Sequence, residues 1–395
     1  MKVLLALTYY RPHVSGLTIY AQRLAEGLAA GGTQVTVLTS QYARSLPRTE
    51  SIGGVCVIRL PVAFRFSKGV LMPSLPGMAA RLIGGHDVVS IHLPATPPEA
   101  LALPLLARRS GRPVVATYHC DLRLPPGFLN RLIDTGVRWT NSLSGRSVDR
   151  IVAYTEDYVD NVPFFGRYRD KCLIIPPPVA MPVPDPARVA EFRSAHAADG
   201  GPLVGFAARF ASEKGVEFML QSLPKIRETY PHVRVLFAGE YQNVIGECKY
   251  WRRLQPVLEA ESLHWKFLGV LSPDEMSAFY GACDVTVLPS INRTESFGMV
   301  QVESMLCGTP VVASDIPGVR VPVRKTGMGL LVRPADPLSL AEAVCDVIRN
   351  RATFIRPRAM IEACYSTQAT VSAYRDLFHG LGSKKTSLSG GRKSG

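Results

Sequence analysis

The sequence predicts an α/β protein built from two doubly wound domains with mostly parallel sheets. Three observations lead there. Near-continuous apolar runs recur in both halves, as strands covered on both faces require. Amphipathic stretches of helical length alternate with these runs, the mark of repeated βαβ units. Between the halves, Pro176, Pro177, Pro178, Pro182, Pro184 and Pro186 place six prolines in eleven residues, a linker rather than a helix or an inner strand.

Composition sets the bounds. The 395 residues are 47% hydrophobic and 19% charged, ordinary for a globular enzyme of two or three domains. The apolar run in Met1 to Tyr10 ends at Arg11-Pro12-His13 without a small-residue cleavage site, so it reads as a first strand and not a signal peptide. No window offers about 18 uninterrupted apolar residues, and no transmembrane helix is expected. Eight scattered cysteines without a C-x-x-C read as reduced core thiols of a cytoplasmic protein. The net charge of +13 is unevenly placed: residues 1–178 hold 20 Lys/Arg against 11 Asp/Glu, whereas 179–383 are balanced at 21 each. The first half therefore expects an anionic partner, whether a membrane surface, a phosphorylated acceptor or nucleic acid.

In the first half, a strand over 2–10, a helix over 17–28 and a strand over 34–39 make a βαβ unit with Gly16 in its crossover. The dinucleotide fingerprint G-x-G-x-x-G is absent, and Gly16 reads as a turn or as an anion contact. Further strands are expected at 55–60, 88–92, 114–119, 151–154 and 172–175. The stretch 60–82 mixes Phe64, Arg65, Phe66, Lys68, Val70, Leu71 and Met72 with prolines and glycines. It reads as a membrane- or acceptor-facing flap, or as a lid tucked on its own domain. His119 and Asp121 lie where a strand ends, the edge at which open α/β sheets hold ligands, with Arg123 close behind. Asp121 and Arg123 are the acceptor-side candidates. A helix over 128–147 carries Arg131, Arg138 and Arg146, as a binding face or a solvated one.

In the second half, a strand over 203–208 is followed by Arg209 and Lys214. Two cations past a strand end suit a diphosphate, one as a planar fork and one as a point charge; an exposed loop pairing with Glu213 is the alternative. Strands at 233–238, 265–268, 285–288 and 311–313 alternate with helices at 216–230, 250–261, 273–283 and 339–349. Pro289 to Pro310 is the stretch around which this half is organised. Ser296-Phe297-Gly298 opens a helix on which Met299, Val302, Glu303 and Leu306 share one face, so Glu303 is carried inward. An inward carboxylate needs donors, either ligand hydroxyls or a core Arg. Glu295 sits eight residues upstream, and the first N–H groups of the helix suit a phosphate.

A-R-F-A-S-E-K-G at 208–215 and E-S-F-G-M-V-Q-V-E-S-M-L-C-G-T-P-V-V-A-S-D at 295–315 resemble the retaining glycosyltransferases of family 4, the glycosyl transferases group 1 type. The resemblance covers nearly the whole chain, although its motifs lie in the second half. It implies a GT-B fold, two Rossmann-like domains facing across a cleft. Residues 1–178 would bind the acceptor and 179–366 the nucleotide sugar, with a helix over 367–381 returning to the first domain and a disordered basic tail over 382–395. It further implies that Arg209 and Lys214 hold the donor diphosphate, Glu303 the ribose hydroxyls and Glu295 the donor sugar. Ser296, Phe297, Gly298, Met299 and Val300 would surround phosphate and sugar, His119 would lie near the sugar, and Gly16 would close over phosphate. Ser15-Gly16 departs from the family's usual pair of glycines there.

The implied reaction transfers a sugar from a nucleotide-diphosphate donor to a hydroxyl of a lipid or glycan, with retention. D-x-D is absent, so the expectation is metal independence with no cofactor beyond the donor. A nucleotide-sugar epimerase of the same fold is the alternative; it would act on a nucleotide sugar without acceptor. A nucleic-acid-binding protein is the non-enzyme reading of the charge, but aromatic–basic alternation and a recognised module are lacking, and no nucleic-acid partner is expected.

Overall fold

The structure, a computed structural model, describes residues 1–66, 69–122, 127–197, 200–242 and 244–389. The chain forms two compact units, Met1–Pro178 with the segment from Thr367, and Val179–Ser366.

The first unit runs β1 (Lys2–Ala6), α1 (Gly16–Ala30), β2 (Gln34–Gln41), β3 (Thr49–Ile52), β4 (Val55–Pro61), β5 (Phe64–Phe66), β6 (Gly69–Leu71), α2 (Leu75–Ile83), β7 (Val88–Leu93), α3 (Pro97–Arg109), β8 (Val114–Tyr118), α4 (Phe128–Ser147), β9 (Arg150–Ala153), α5 (Glu156–Asn161) and β10 (Cys172–Ile174). Its sheet has the order β10-β9-β8-β7-β1-β2-β4-β3. All its pairings are parallel except β3 with β4. That edge hairpin, absent from the sequence reading, turns through Gly53 and Gly54, whose φ of +56° and +77° only glycine adopts without strain. From β1 the chain winds outward through β2 and β4, then returns to lay β7 on the other side of β1. Strand order thus reverses between β1 and β7, the switch point at which such sheets bind ligands. The stretch 60–82 yields the β5–β6 hairpin and α2. Val70 and Met72 enter the core, whereas Phe64 and Leu71 are exposed; Lys68 lies outside the described residues.

The second unit runs α6 (Pro186–His196), β11 (Leu203–Ala207), α7 (Val216–Thr229), β12 (Arg234–Ala238), α8 (Cys248–Ala260), β13 (Trp265–Gly269), α9 (Pro273–Ala282), β14 (Val285–Leu288), α10 (Met299–Leu306), β15 (Val311–Ser314), α11 (Arg320–Thr326), β16 (Gly329–Val332), α12 (Pro337–Arg349), α13 (Arg351–Phe354) and α14 (Arg358–Cys364). Its sheet is parallel throughout, in the order β13-β12-β11-β14-β15-β16. Here the order reverses between β11 and β14. The last proline of the linker belongs to a helix after all: Pro186 is the first residue of α6, where no N–H is needed, and Asp185 caps it by accepting from Ala187 N at 2.9 Å.

The final helix, α15 (Thr367–Ser389), belongs to the first unit and packs on α1. The Tyr374 hydroxyl bonds the hydroxyls of Tyr20 and Thr117, each at 2.7 Å. Gly27 makes the approach close; a Cβ there would come within 2.5 Å of Val371 Cγ2. The helix continues past Gly382, where a disordered tail was expected to begin, because no proline stops it before Ser389. The rest of that expected tail, residues 390–395, lies outside the described residues. Cysteines also differ from expectation. Only Cys283, Cys307 and Cys345 are buried, since neighbouring apolar letters do not fix which way a side chain points.

Candidate active site

Both switch points gather the residues singled out from the sequence, with opposite chemistry. In the second unit, β11 releases the chain into a loop holding Arg209 and Lys214. Arg209 Nη2 lies 3.3 Å from Glu213 Oε1, the loop pairing that the sequence left open. Lys214 Nζ lies 2.5 Å from Glu295 Oε2. The backbone holds these two loops together. Ile291 N donates to Glu213 O at 3.0 Å, and a Cβ on Gly215 would sit 2.0 Å from Pro289 O. Gly215 has φ +72° and starts α7, so glycine is required there twice over. Glu247 fastens the loop from behind by accepting from Ser212 N at 3.2 Å.

The chain leaving β14 folds into an Asx turn, in which Asn292 Oδ1 accepts from Thr294 N at 2.9 Å, and this aims Glu295 at Lys214. Ser296 and Phe297 are buried, and Phe297 meets the Tyr365 ring edge-on at 5.4 Å. Gly298, at φ +76°, is the N-cap of α10; a Cβ would fall 2.3 Å from Leu288 Cδ2. Met299 and Val300, half-buried, lead the helix. Gln301 fixes this start by donating from Nε2 to Phe297 O at 2.8 Å and Val319 O at 3.0 Å.

The one-sided face expected for this helix is not what forms. Residues Gln301 to Leu306 are buried all the way round, because β14, β15, α9 and α14 enclose α10. Glu303 is buried with Gln301, Ser304 and Met305, and Tyr280 OH donates to its Oε2 at 3.4 Å. Its position comes from total enclosure of a short helix, not from an amphipathic stripe.

In the first unit, Ser15 explains the departure from two glycines. It is the N-cap of α1, its Oγ accepting from Thr18 N at 3.2 Å, and Gly16 is the first helical residue. His119 follows β8 and is buried, with both ring nitrogens engaged: Nε2 lies 2.7 Å from His92 Nδ1, and Nδ1 meets the Tyr154 hydroxyl. The two imidazoles stack at 5.0 Å, and Tyr20 stands edge-on to His119 at 4.9 Å. Burial drives His92 down to about 3 and His119 well below the ordinary histidine range, the latter helped by His92, so both are neutral at physiological pH. Asp121 is buried, and its N–H donates to Tyr158 OH at 2.6 Å. Arg123 lies outside the described residues.

His92 and Tyr154 were not singled out from the sequence. His92 lies inside β7, before its last residue Leu93, so the strand-end signal that marks His119 does not mark it. Among the described residues, no three His, Cys, Asp or Glu side chains converge as metal ligands.

Two family models match side by side: "Glycosyl transferase 4-like domain" over residues 15–178, and "Glycosyl transferases group 1" over 188–367. The chain belongs to the group 1 glycosyltransferases. Among relatives of this glycosyltransferase, the D-inositol 3-phosphate glycosyltransferase of Pseudarthrobacter chlorophenolicus is 28% identical over 373 residues, 87% of this chain and 85% of that one. The phosphatidyl-myo-inositol mannosyltransferase of Mycobacterium leprae is 28% identical over 347 residues, 85% of this chain and 84% of its own. HepE of Anabaena, solved with UDP-glucose, superposes with a TM-score of 0.77 at 17% identity, covering 96% of this chain and 100% of that one. The enzyme has the GT-B fold and hexosyltransferase chemistry.

Proposed function

We propose that this glycosyltransferase moves a sugar from a nucleotide-diphosphate donor to a hydroxyl of a lipid or glycan, retaining the configuration at the anomeric carbon. The observation that carries the reading is the meeting of Arg209, Lys214, Glu295 and the start of α10 at one switch point. In this assignment Val179–Ser366 binds the donor. Arg209 and Lys214 take the diphosphate, and the leading amides of α10 at Met299 and Val300 add dipole to it. Glu303 accepts from ribose hydroxyls and Glu295 from the sugar. Gly298 and Ser296-Phe297 give the sugar and phosphate a close backbone wall.

No protein nucleophile is invoked. The acceptor hydroxyl attacks the anomeric carbon from the face the diphosphate leaves, forming the new C–O bond as the old one breaks. The hydroxyl proton passes to the departing phosphate oxygen, and negative charge grows on the diphosphate. Arg209, Lys214 and the helix start are placed to stabilise that charge, which is why we assign a metal-independent reaction. Lys214 is paired with Glu295, so its charge is already held at the loop where the diphosphate is assigned.

The first unit serves the acceptor, with Asp121 and Arg123 as its polar contacts, Gly16 at its switch point and His119 acting as a neutral imidazole. The +9 charge of residues 1–178 supports an acceptor met at an anionic membrane surface, on the cytoplasmic side. The mannosyltransferase relative, named for a phosphatidyl-inositol substrate, supports the lipid class. Thermal-shift titration with UDP-, GDP- and ADP-sugars tests the donor. At least one should stabilise the parent enzyme and none should stabilise Arg209→Ala or Glu303→Ala. If no donor stabilises the parent, the reading fails.

A further inference from the structure

Helix α4 is built inside out. Its buried positions include Thr140, Asn141 and Ser144, whereas Phe128, Leu132 and Trp139 stand 82%, 55% and 63% exposed. At 3.6 residues per turn, these three fall within an arc of roughly 40°. Arg131 and Arg138, both exposed, run along one flank of the stripe, and exposed Arg146 continues its line. The helix's one carboxylate, Asp134, lies further round and is half-buried. Neighbouring α3, which packs between α2 and α4, adds exposed Leu105, Arg108 and Arg109.

A helix whose outer face only met water would carry Thr, Asn and Ser outward and Phe, Leu and Trp inward. The reversed arrangement leaves an apolar stripe, interrupted by exposed Thr135 and Gly136, that folding does not use, and such stripes mark contact with a partner. Charge selects the partner. The stripe is flanked by guanidinium groups in a unit that is +9, so a second copy would meet like charge. A bilayer with anionic headgroups suits every part of it. Trp and Phe settle at the headgroup–acyl boundary, and Arg stems lie along the apolar surface while their heads reach phosphate.

We propose that α4 is a membrane-docking surface, with Phe128, Leu132 and Trp139 inserted at the boundary of an anionic bilayer and Arg131 and Arg138 on lipid phosphates. The inference gives the membrane reading of the first unit a defined face, and rests on that reading for its purpose. Its test does not depend on catalysis.

The full chain is sedimented with vesicles of phosphatidylcholine containing phosphatidylglycerol, and with phosphatidylcholine alone. The parent should bind the anionic vesicles. The triple variant Phe128→Ser, Leu132→Ser, Trp139→Ser should lose about tenfold or more in partitioning. Arg131→Gln with Arg138→Gln should lose several-fold and with it the preference for anionic lipid. Donor-sugar thermal shifts of the same variants separate this question from the transferase reading, since the stripe is outside the proposed donor site. Three results overturn the inference: no binding by the parent to anionic vesicles, equal binding by the triple variant, or a parent oligomer that the triple variant converts to monomer. If the triple variant does not fold, brominated lipids decide. Quenching of the parent's tryptophan fluorescence that disappears in Trp139→Phe supports insertion, and quenching unchanged in that variant refutes it.

Discussion

The two units wind their sheets alike, each reversing strand order beside its first strand, yet they furnish the reversal point oppositely. The second unit brings charge there: Arg209 with Glu213, and Lys214 with Glu295, each pair only partly buried. The first unit brings neutral groups, His92, His119 and Tyr154, joined in a buried chain of hydrogen bonds. One topology thus supplies an electrostatic cradle in one half and a rigid, uncharged scaffold in the other. The fold fixes where a ligand sits, and the side chains fix what the place can do.

The comparison is tested most severely by removing charge from the second unit. Arg209→Ala should lower kcat by about 10²–10³-fold, the usual cost of deleting a group that stabilises developing negative charge. A loss under about tenfold in steady-state assays would leave the cradle without its main member.

Next comes the backbone under that cradle. Gly298→Ala must hold a positive φ and press against Leu288 and Gln301, which should cost about 2–4 kcal/mol. Calorimetry should show the melting transition of the second unit falling by about 5–15 °C, at the usual 2–4 °C per kcal/mol for a unit of this size. An unshifted transition would mean that the α10 start is not the tight joint described.

The neutral histidines of the first unit predict a pH effect. A histidine that is protonated when unfolded but neutral when folded makes the unfolded state bind the extra proton below its free pKa of about 6.5. Stability is therefore complete above about 6.5 and drains as pH falls toward the depressed folded values, about 3 for His92. Each such group adds a slope of about 1.4 kcal/mol per pH unit within that window. Denaturant melts between pH 7 and 5 should show this slope in the parent and a shallower one in His92→Gln. Equal slopes would show that the imidazole pair is charged after all. Smallest in effect is Tyr374→Phe, which removes one buried hydroxyl from between Tyr20 and Thr117 and should cost about 1–2 kcal/mol in the first unit.

The fold was legible because parallel strands are apolar on both faces and leave unbroken runs, and because Gly and Pro punctuate the crossovers. The charged cradle was legible for a related reason: Arg209, Lys214 and Glu295 lie a few residues past such runs. The neutral scaffold was not. His92 looks like one polar letter inside a strand, and its partnership with His119 spans 27 residues that no local pattern connects. Both α10 and α4 were read as helices, but their settings were not: α10 is buried on every side where one inward face was expected, and α4 turns its apolar stripe outward. The short hairpin of β3 and β4 was missed because four half-polar residues at a sheet edge make no run.

The return of α15 has a consequence for the order of biosynthesis. The first unit is discontinuous: the hydroxyls of Tyr20 and Thr117 bond that of Tyr374, 257 or more residues further along. A ribosome therefore releases every residue of the second unit before it supplies the piece that completes the first. The later half of the gene can finish its fold while the earlier half still waits for its closing helix. A nascent chain stopped before Thr367 carries a complete second unit and a first unit with an open flank on α1.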